Sequence, residues 1–263
     1  MKEIYSNINI IGGGLIGTVA AYSLSKLGFR ITILEKKPRY NTKKDKDHRT
    51  TAISEGTKNF LDTIDIWQKI KPFAQPIEKI RVIDRKLSNQ LEFDNRRRTS
   101  NLGYIIENKK LLDTIYFQLS KMKNVNILNN VIINNFKDNK ENIVTTLNNT
   151  KIYSDLNIAA DGRKSSVKKF FKTNYYFKNY KKNALVITIT HTKNHNCTAY
   201  EFFYKNGPLA ILPMQKNKRY FSSSIIWTNK IDYLKQIIKM DNKTLSSILK
   251  KETQNCIGDV KNI

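Results

Sequence analysis

The chain is short of cysteine, histidine, acidic residues and long apolar runs, and each shortage removes a class of function. Cys197 and Cys256 are the only cysteines, neither in a C-x-x-C pair. That excludes a disulfide framework and a cysteine zinc site, and it predicts a reduced, cytoplasmic compartment. The three histidines, His48, His191 and His195, have neither ligand spacing nor a triad arrangement, so each is expected to be structural or superficial, and no metal is expected. No apolar stretch approaches the roughly 20 residues that span a bilayer. Met1 to Asn7 leads straight into a strand-like run rather than forming a signal sequence.

Acidic residues number 22 against 47 Lys and Arg, a net charge of +25. The lysines are scattered among Asn and Ile, as an AT-rich coding bias produces. They are densest at Lys36-Lys37 with Lys43-Lys44, at Arg96-Arg97-Arg98 and from Lys178 to Lys182. No nucleic-acid-binding motif accompanies them, so nucleic acid is not an expected partner. Anionic lipid suits such clusters better, because each Lys or Arg near that surface gains about 1 kcal/mol. A solvated surface of biased composition remains the simplest account.

What the chain does have begins at Ile8. Ile8 to Ile11 is a short apolar run of the kind a buried parallel strand shows. Glycines follow at once, spaced G-x-G-x-x-G at Gly12, Gly14 and Gly17. A helix pattern then runs through Val19, Ala20, Leu24 and Leu27 and stops at Gly28, a natural C′ residue. Arg30 to Leu34 reads as a second strand, closed by Glu35. The chemistry explains the spacing. Gly12 permits the tight strand-to-helix turn. Gly14 lets a pyrophosphate approach the backbone amides where the helix dipole favours negative charge. Gly17 lets the helix pack close to the strand. Glu35 stands where an acid accepts hydrogen bonds from an adenosine ribose.

At 263 residues the chain can form one large domain or two small ones. Lys36 to Lys46 reads as a loop. A helix capped by Ser54 carries Thr57, Phe60, Leu61 and Ile64 on one face. Ile80 to Ile83 and Leu91 to Phe93 read as strands about a turn at Ser88-Asn89. A helix follows Asn108 through Leu111, Leu112, Ile115 and Leu119, and Val125 to Leu128 returns as a strand. Val131 to Phe136, Ile143 to Leu147 and Ile152 to Tyr153 suggest a β-meander, and Leu156 to Ala160 another buried strand. Four alternating segments between Leu185 and Trp227 predict a second sheet that interrupts the nucleotide-binding fold. Ile231 to Lys251 reads as helical, and the last residues show no obvious closing element.

These landmarks resemble those of the FAD-dependent aromatic hydroxylases of the p-hydroxybenzoate-hydroxylase fold, and among them the ubiquinone-biosynthesis hydroxylases. Gly12, Gly14, Gly17 and Glu35 match the ADP-binding fingerprint. Asp47-x-Arg49-x-x-Ala52-x-Ser54 matches a subfamily segment whose arginine lies near flavin and pyrophosphate. Leu102 to Asn108 matches its G-Y-V-V-E-N stretch, with Asn108 where the fold places a flavin-contacting polar residue. Ala160-Asp161-Gly162-Arg163-x-Ser165-x-Val167 matches the "DG" fingerprint, and Phe202 to Pro213 a run of the substrate-domain sheet. Val131 joins the cofactor-binding set on the same ground. Taken singly, Asp161-Gly162 is an ordinary turn, Arg49 a surface ion-pair residue and Gly207-Pro208 a hairpin turn.

The resemblance implies an α/β fold: a Rossmann-like FAD-binding domain over 1–173, with substrate-domain strands inserted near 77–102, and, over 174–263, a β-rich substrate domain and the start of the return to the FAD domain. It implies FAD as cofactor, NAD(P)H as donor, and O2 as the oxidant of a polyprenylated phenol in ubiquinone biosynthesis. On that resemblance the protein need not supply a nucleophile or a metal, and no catalytic acid or base is named; its work would be binding, positioning and exclusion of water. Contact with the inner face of a membrane would be peripheral. The family's third fingerprint, a Gly-Asp followed by an Ala-rich His segment, is not matched by Gly258-Asp259, so the fold is expected to be incomplete at the C-terminus. Exposed apolar surface then predicts poor solubility or a partner. The alternatives are a non-catalytic remnant, an assembly subunit of a quinone-biosynthesis complex, or half of a split hydroxylase completed by a second chain.

Overall fold

The computed structural model describes residues 1–38, 47–85, 90–95, 100–217 and 219–263. In chain order the first elements are β1 (Lys2–Ile11), α1 (Leu15–Lys26), β2 (Ile31–Glu35), β3 (Thr50–Ser54), α2 (Glu55–Thr63), α3 (Trp67–Ile70), β4 (Gln75–Ile77), β5 (Lys79–Asp84), β6 (Gln90–Asp94) and β7 (Gly103–Glu107). Then come α4 (Asn108–Leu119), β8 (Val125–Asn129), β9 (Ile133–Asp138), β10 (Ile143–Leu147), β11 (Thr150–Ala159), α5 (Ser166–Phe170), β12 (Lys182–His191), β13 (Thr198–Phe203), β14 (Leu209–Asn217), β15 (Tyr220–Lys230), α6 (Ile231–Lys239), α7 (Asn242–Glu252) and β16 (Val260–Asn262). The α/β architecture is the expected one. The expected turn at Ser88-Asn89, the Arg96-Arg97-Arg98 cluster and most of the 36–46 loop lie outside the described residues.

Contacts divide the chain into two compact units, Met1–Lys46 with Lys109–Tyr176, and Asp47–Asn108 with Phe177–Ile263. The segment grouped with the C-terminal strands is thus longer than the 77–102 insertion. The reason is pairing: β5 runs parallel to β13 from Lys79↔Thr198 to Asp84↔Phe203, while β3 and β4 pair with β7.

The first unit is built on a sheet of order β8-β2-β1-β11-β10-β9. β1 lies parallel to both β2 and β11, and β10 returns antiparallel. Ile8, Ile10, Ile11, Ile31, Ile33 and Leu34 are buried in its centre. Polar residues interrupt this interior, most of them hydrogen-bonded, although Asn9 Oδ1 has no partner among the described residues. Ser6 Oγ and Thr32 Oγ1 are 2.5 Å apart. Asn9 and Asn157 both donate through Nδ2 to Thr145 Oγ1 at 3.1 Å. Bonds of this kind offset the desolvation of buried side-chain amides.

α1 corrects the expected pattern. Its buried face is Gly17, Thr18, Ala21, Tyr22 and Ser25, whereas Leu27 is 72% exposed. Small residues turn inward because the helix lies too close to the strands for larger ones. Gly28 does end it, at φ +90°. Gly28 N donates to Ser25 O at 3.0 Å and Phe29 N to Leu24 O at 3.3 Å, the two bonds of a Schellman motif.

Other expectations shift as well. Ser54 caps α2 by accepting from Thr57 N at 3.2 Å, yet Thr57 and Phe60 are exposed, and Leu61 and Ile64 carry the buried face. The expected short strands at Ile152 and at Leu156 are one strand, β11, in register with β1 throughout. Its second half is not buried: Leu156 is 50% exposed. Ile231 to Lys251 forms two helices because Asp241 starts a new one, accepting from Thr244 N at 2.9 Å and Thr244 Oγ1 at 2.6 Å. Such a cap contributes about 1 kcal/mol. The chain also has a closing strand, β16, paired with β12.

The second unit contains a sheet of order β16-β12-β15-β14-β13-β5-β6 and a small one of order β3-β7-β4. Ile189, Phe202, Leu209, Ile211, Ile225 and Trp227 pack under α6 and α7 with Leu249. His191 and His195 are buried in this unit. His191 Nε2 lies 2.9 Å from Ser223 Oγ and His195 Nε2 lies 3.0 Å from Met214 O. Burial lowers the pKa of His191 to about 4. A base depressed on folding takes up its proton more readily when unfolded, so its contribution is present above pH 6.5 and is lost as pH falls towards 4. We therefore expect thermal stability to fall between about pH 6.5 and 4, with His191 alone contributing up to roughly 3 kcal/mol. A His191→Gln variant followed by calorimetry across that range should show a shallower decline; an unchanged slope would refute the assignment.

Candidate cofactor site

The strand-to-helix turn of the first unit is held by backbone bonds and close contacts. Gly12 N donates to Leu34 O at 2.8 Å, Ala160 N to Ile11 O at 2.8 Å and Thr18 N to Gly14 O at 2.9 Å. Gly12 has φ +109°, and a Cβ there would strike Ala160 O and lie 2.9 Å from Asp161 Cα. A Cβ on Gly17 would collide with Gly12 O and lie 3.3 Å from Ala160 Cβ. These glycines are needed for two separate reasons, backbone conformation and the approach of α1 to the strands.

Gly14 differs. A Cβ on it would meet nothing within 4 Å, so the turn is open there. Gly14 is the N-cap of α1, provides no side-chain cap, and no acid occupies the first turn. The helix dipole, about half a positive charge at this end, is therefore not offset by a neighbouring carboxylate of the helix. Open space before the helix N-terminus, with no acid in its first turn, is a fit for a diphosphate.

Glu35 sits beside this turn. Its Oε2 accepts from Gly13 N at 2.7 Å and its Oε1 from Lys37 N at 2.8 Å. Each carboxylate oxygen has a further lone pair, so ribose hydroxyls can still be accepted. Tyr116, from α4, completes the arrangement by donating its hydroxyl to Gly13 O at 2.8 Å. Burial, together with the nearby Glu35 carboxylate, pushes the Tyr116 pKa up to about 12, so it stays a donor. A Cβ at Gly13 would collide with Tyr116 Oη. Tyr116 was not among the sequence candidates. Its one available signal was a polar-tipped aromatic next to Ile115, which is fully buried on α4.

Val131 lies close to the same strand end: its N donates to Glu35 O at 3.1 Å, and its side chain packs with Ile11 and Leu34. Asp161 has a local task. Its Oδ2 accepts from Ser166 N at 2.6 Å, Ser166 Oγ at 2.9 Å and Val167 N at 3.4 Å. Burial opposes its charge, but bonds from Ser165, Ser166 and Val167 prevail and hold the carboxyl below the usual range. Gly162 follows at φ +75° with open space around it, so conformation alone requires glycine. The backbone of this turn abuts Gly12, while the Asp161 side chain braces the start of α5.

Arg49 and Asn108 belong to the second unit. β3 and β7 bring them together: Asn108 N donates to Arg49 O at 3.0 Å, and Asn108 Oδ1 accepts from Thr51 Oγ1 at 2.6 Å. The Arg49 guanidinium, mostly exposed, forms a two-point pair with Asp47 at 2.7 and 2.8 Å. Among the described residues no cluster of His, Cys, Asp and Glu could hold a metal ion.

The sequence model of a family described as an FAD binding domain matches residues 5–262. The chain belongs to this FAD-binding-domain family. It is 27% identical over 258 residues to ubiquinone hydroxylase UbiL of Rhodospirillum rubrum, covering 97% of this chain and 59% of that protein. It is 28% identical over 246 residues to ubiquinone biosynthesis monooxygenase COQ6 of Drosophila melanogaster, covering 88% of this chain and 51% of that protein. The chain thus spans between half and three fifths of these relatives. In fold it is similar to PqsL, a probable FAD-dependent monooxygenase of Pseudomonas aeruginosa, with TM-score 0.80 at 14% identity, covering 98% of this chain and 73% of that one.

For this FAD-binding-domain chain, Tyr116→Phe should weaken FAD binding about fivefold, the equivalent of one hydrogen bond of about 1 kcal/mol. Gly17→Ala should abolish binding and destabilise the fold by about 1–3 kcal/mol through overpacking. Flavin fluorescence titration and thermal melts measure both, and a Gly17→Ala variant with undiminished FAD affinity would show that α1 does not present its amides to the cofactor.

Proposed function

We propose that the chain provides the dinucleotide-binding part of an FAD-dependent hydroxylase that acts on the aromatic ring of a polyprenylated phenol in ubiquinone biosynthesis, with NAD(P)H and O2 as co-substrates. The observation that carries this reading is the open glycine turn of Gly12, Gly14 and Gly17 beside Glu35, in a chain that aligns almost end to end with ubiquinone hydroxylases.

When bound, FAD would supply the electron transfer from the nicotinamide and the activation of O2. The residues of the chain do the holding. The first-turn amides of α1 would hold the diphosphate, and Gly14 leaves that approach clear of side chains. Glu35 would accept from the ribose, while Gly13 N and Tyr116 hold that carboxylate and the turn in place. Val131 lies against the Glu35 strand end near the adenosine side. Asp161 and Gly162 set the backbone that abuts Gly12. Arg49 and Asn108, adjacent across β3 and β7, suit the flavin-proximal roles the family resemblance assigns them. No side chain is assigned as catalytic acid or base.

A second reading rests on the share of the relatives that is aligned, 59% and 51%. In it the chain is a cofactor-binding subunit or a non-catalytic remnant, and the remaining walls of the flavin site come from further residues of the same protein or from a second polypeptide.

An absorption spectrum separates these. The purified chain, supplied with FAD and passed through gel filtration, is expected to keep flavin bands that NADH or NADPH bleaches under air. Retained but unbleached flavin would favour the subunit reading. A colourless protein would overturn stand-alone cofactor binding.

A further inference from the structure

Between Asp161 and Glu201 the chain contains no acidic residue, while eight basic residues fall within 163–182. From α5 to β12 the backbone forms neither helix nor strand. Four aromatic rings stand in solvent within residues 175–180: Tyr175, Tyr176 at 89% exposure, Phe177 at 68%, and Tyr180. The lysines around them, Lys168, Lys169, Lys172, Lys178 and Lys181, are exposed too. Single exposed rings are ordinary; a run of them is the mark of an interaction surface.

The start of the stretch is anchored. Phe170 and Phe171 rest on Phe136, a core residue, with ring centroids 5.1 and 5.5 Å away. Beyond them, Lys168 Nζ lies 5.4 Å from the Tyr175 ring centre and Lys178 Nζ 5.5 Å from that of Tyr180. Cations and rings are thus interleaved along one length of chain.

Two kinds of polyanion take such a composition. Single-stranded nucleic acid stacks its bases on rings held by a rigid platform, whereas these rings are carried on backbone that is neither strand nor helix. A bilayer asks less of the backbone. Tyrosine and phenylalanine rings settle at the boundary between headgroups and hydrocarbon, and lysine stems reach from there to the phosphates. We infer that residues 168–182 are a docking surface for an anionic phospholipid bilayer. This deepens the reading of a hydroxylase acting on a prenylated phenol, on which it rests for its purpose, since such a substrate resides in the bilayer.

The experiment is sedimentation of the full chain with vesicles of phosphatidylcholine alone and of phosphatidylcholine mixed with phosphatidylglycerol, at low and high salt, with flavin retention measured in parallel. Binding to the mixed vesicles should exceed binding to phosphatidylcholine at least tenfold and fall with salt. Two variants should each lose about tenfold or more, one with Lys168→Glu, Lys172→Glu and Lys178→Glu, the other with Tyr176→Ser and Phe177→Ser. A control with Lys121→Glu, Lys123→Glu and Lys140→Glu carries the same net charge and should bind nearly as wild type, and circular dichroism should show all three folded. Equal loss in the control, no loss in the two variants, no vesicle binding, or displacement from vesicles by a single-stranded oligonucleotide would each overturn the proposal. Flavin-containing protein that ignores vesicles would sink the docking surface and leave the cofactor reading standing; colourless protein that binds them would do the reverse.

Discussion

The first unit depends on how closely α1 approaches the ends of β1 and β11. Gly17 faces Gly12 O and Ala160 Cβ across a gap that no Cβ can enter. That one steric constraint explains several features at once. It accounts for the mostly small inward face of α1, Gly17, Thr18, Ala21 and Ser25 with Tyr22. It leaves leucines such as Leu27 outside. It also brings the N-terminus of the helix to the C-terminal ends of these two central strands, beside the open space at Gly14. A helix standing further off would bury more apolar surface and lose its use as an anion site.

Around that contact the first unit uses hydrogen bonds where apolar packing would leave freedom. Glu35 fixes Gly13 from one side and Tyr116 fixes it from the other. Asn9, Thr145 and Asn157 tie β1, β10 and β11 at the same depth. A buried amide tolerates little sliding, because a slip of one residue in register would leave it unpaired and turn every side chain to the opposite face. The polar interior of this sheet therefore specifies alignment, and the isoleucines supply most of the driving force.

Much of this was legible in the sequence, for physical reasons that differ by element. The glycine spacing reads directly because each glycine answers a backbone demand, and Glu35 because the second strand has a fixed length. The order of strands and the helix after Asn108 follow from apolar periodicity. The inward face of α1 was not legible, since periodicity assigns large apolar residues to the interior and here proximity to the strands forbids them. The break at Asp241 was hidden because an aspartate inside an apolar pattern looks like a surface residue until it is seen to cap. Tyr116 was hidden because its partner, a main-chain carbonyl, leaves no trace in composition. Asp161 was legible as part of a fingerprint, while its side-chain task, bracing α5, is the work of an ordinary turn.

The interleaving of the two units has a consequence for the order in which the molecule can form. β1 needs β11 beside it, with Lys2 opposite Thr150 and Ile11 opposite Ala159. The intervening Asp47–Asn108 belongs to the other unit, and its strand β5 waits for β13. Neither of these two sheets can close before β11 and β13 have been made, and pairings so distant in sequence form slowly. The glycine turn lies far upstream of β11 and completes its contacts only once that strand has been made, so β1 must be kept from other strands until its partner arrives.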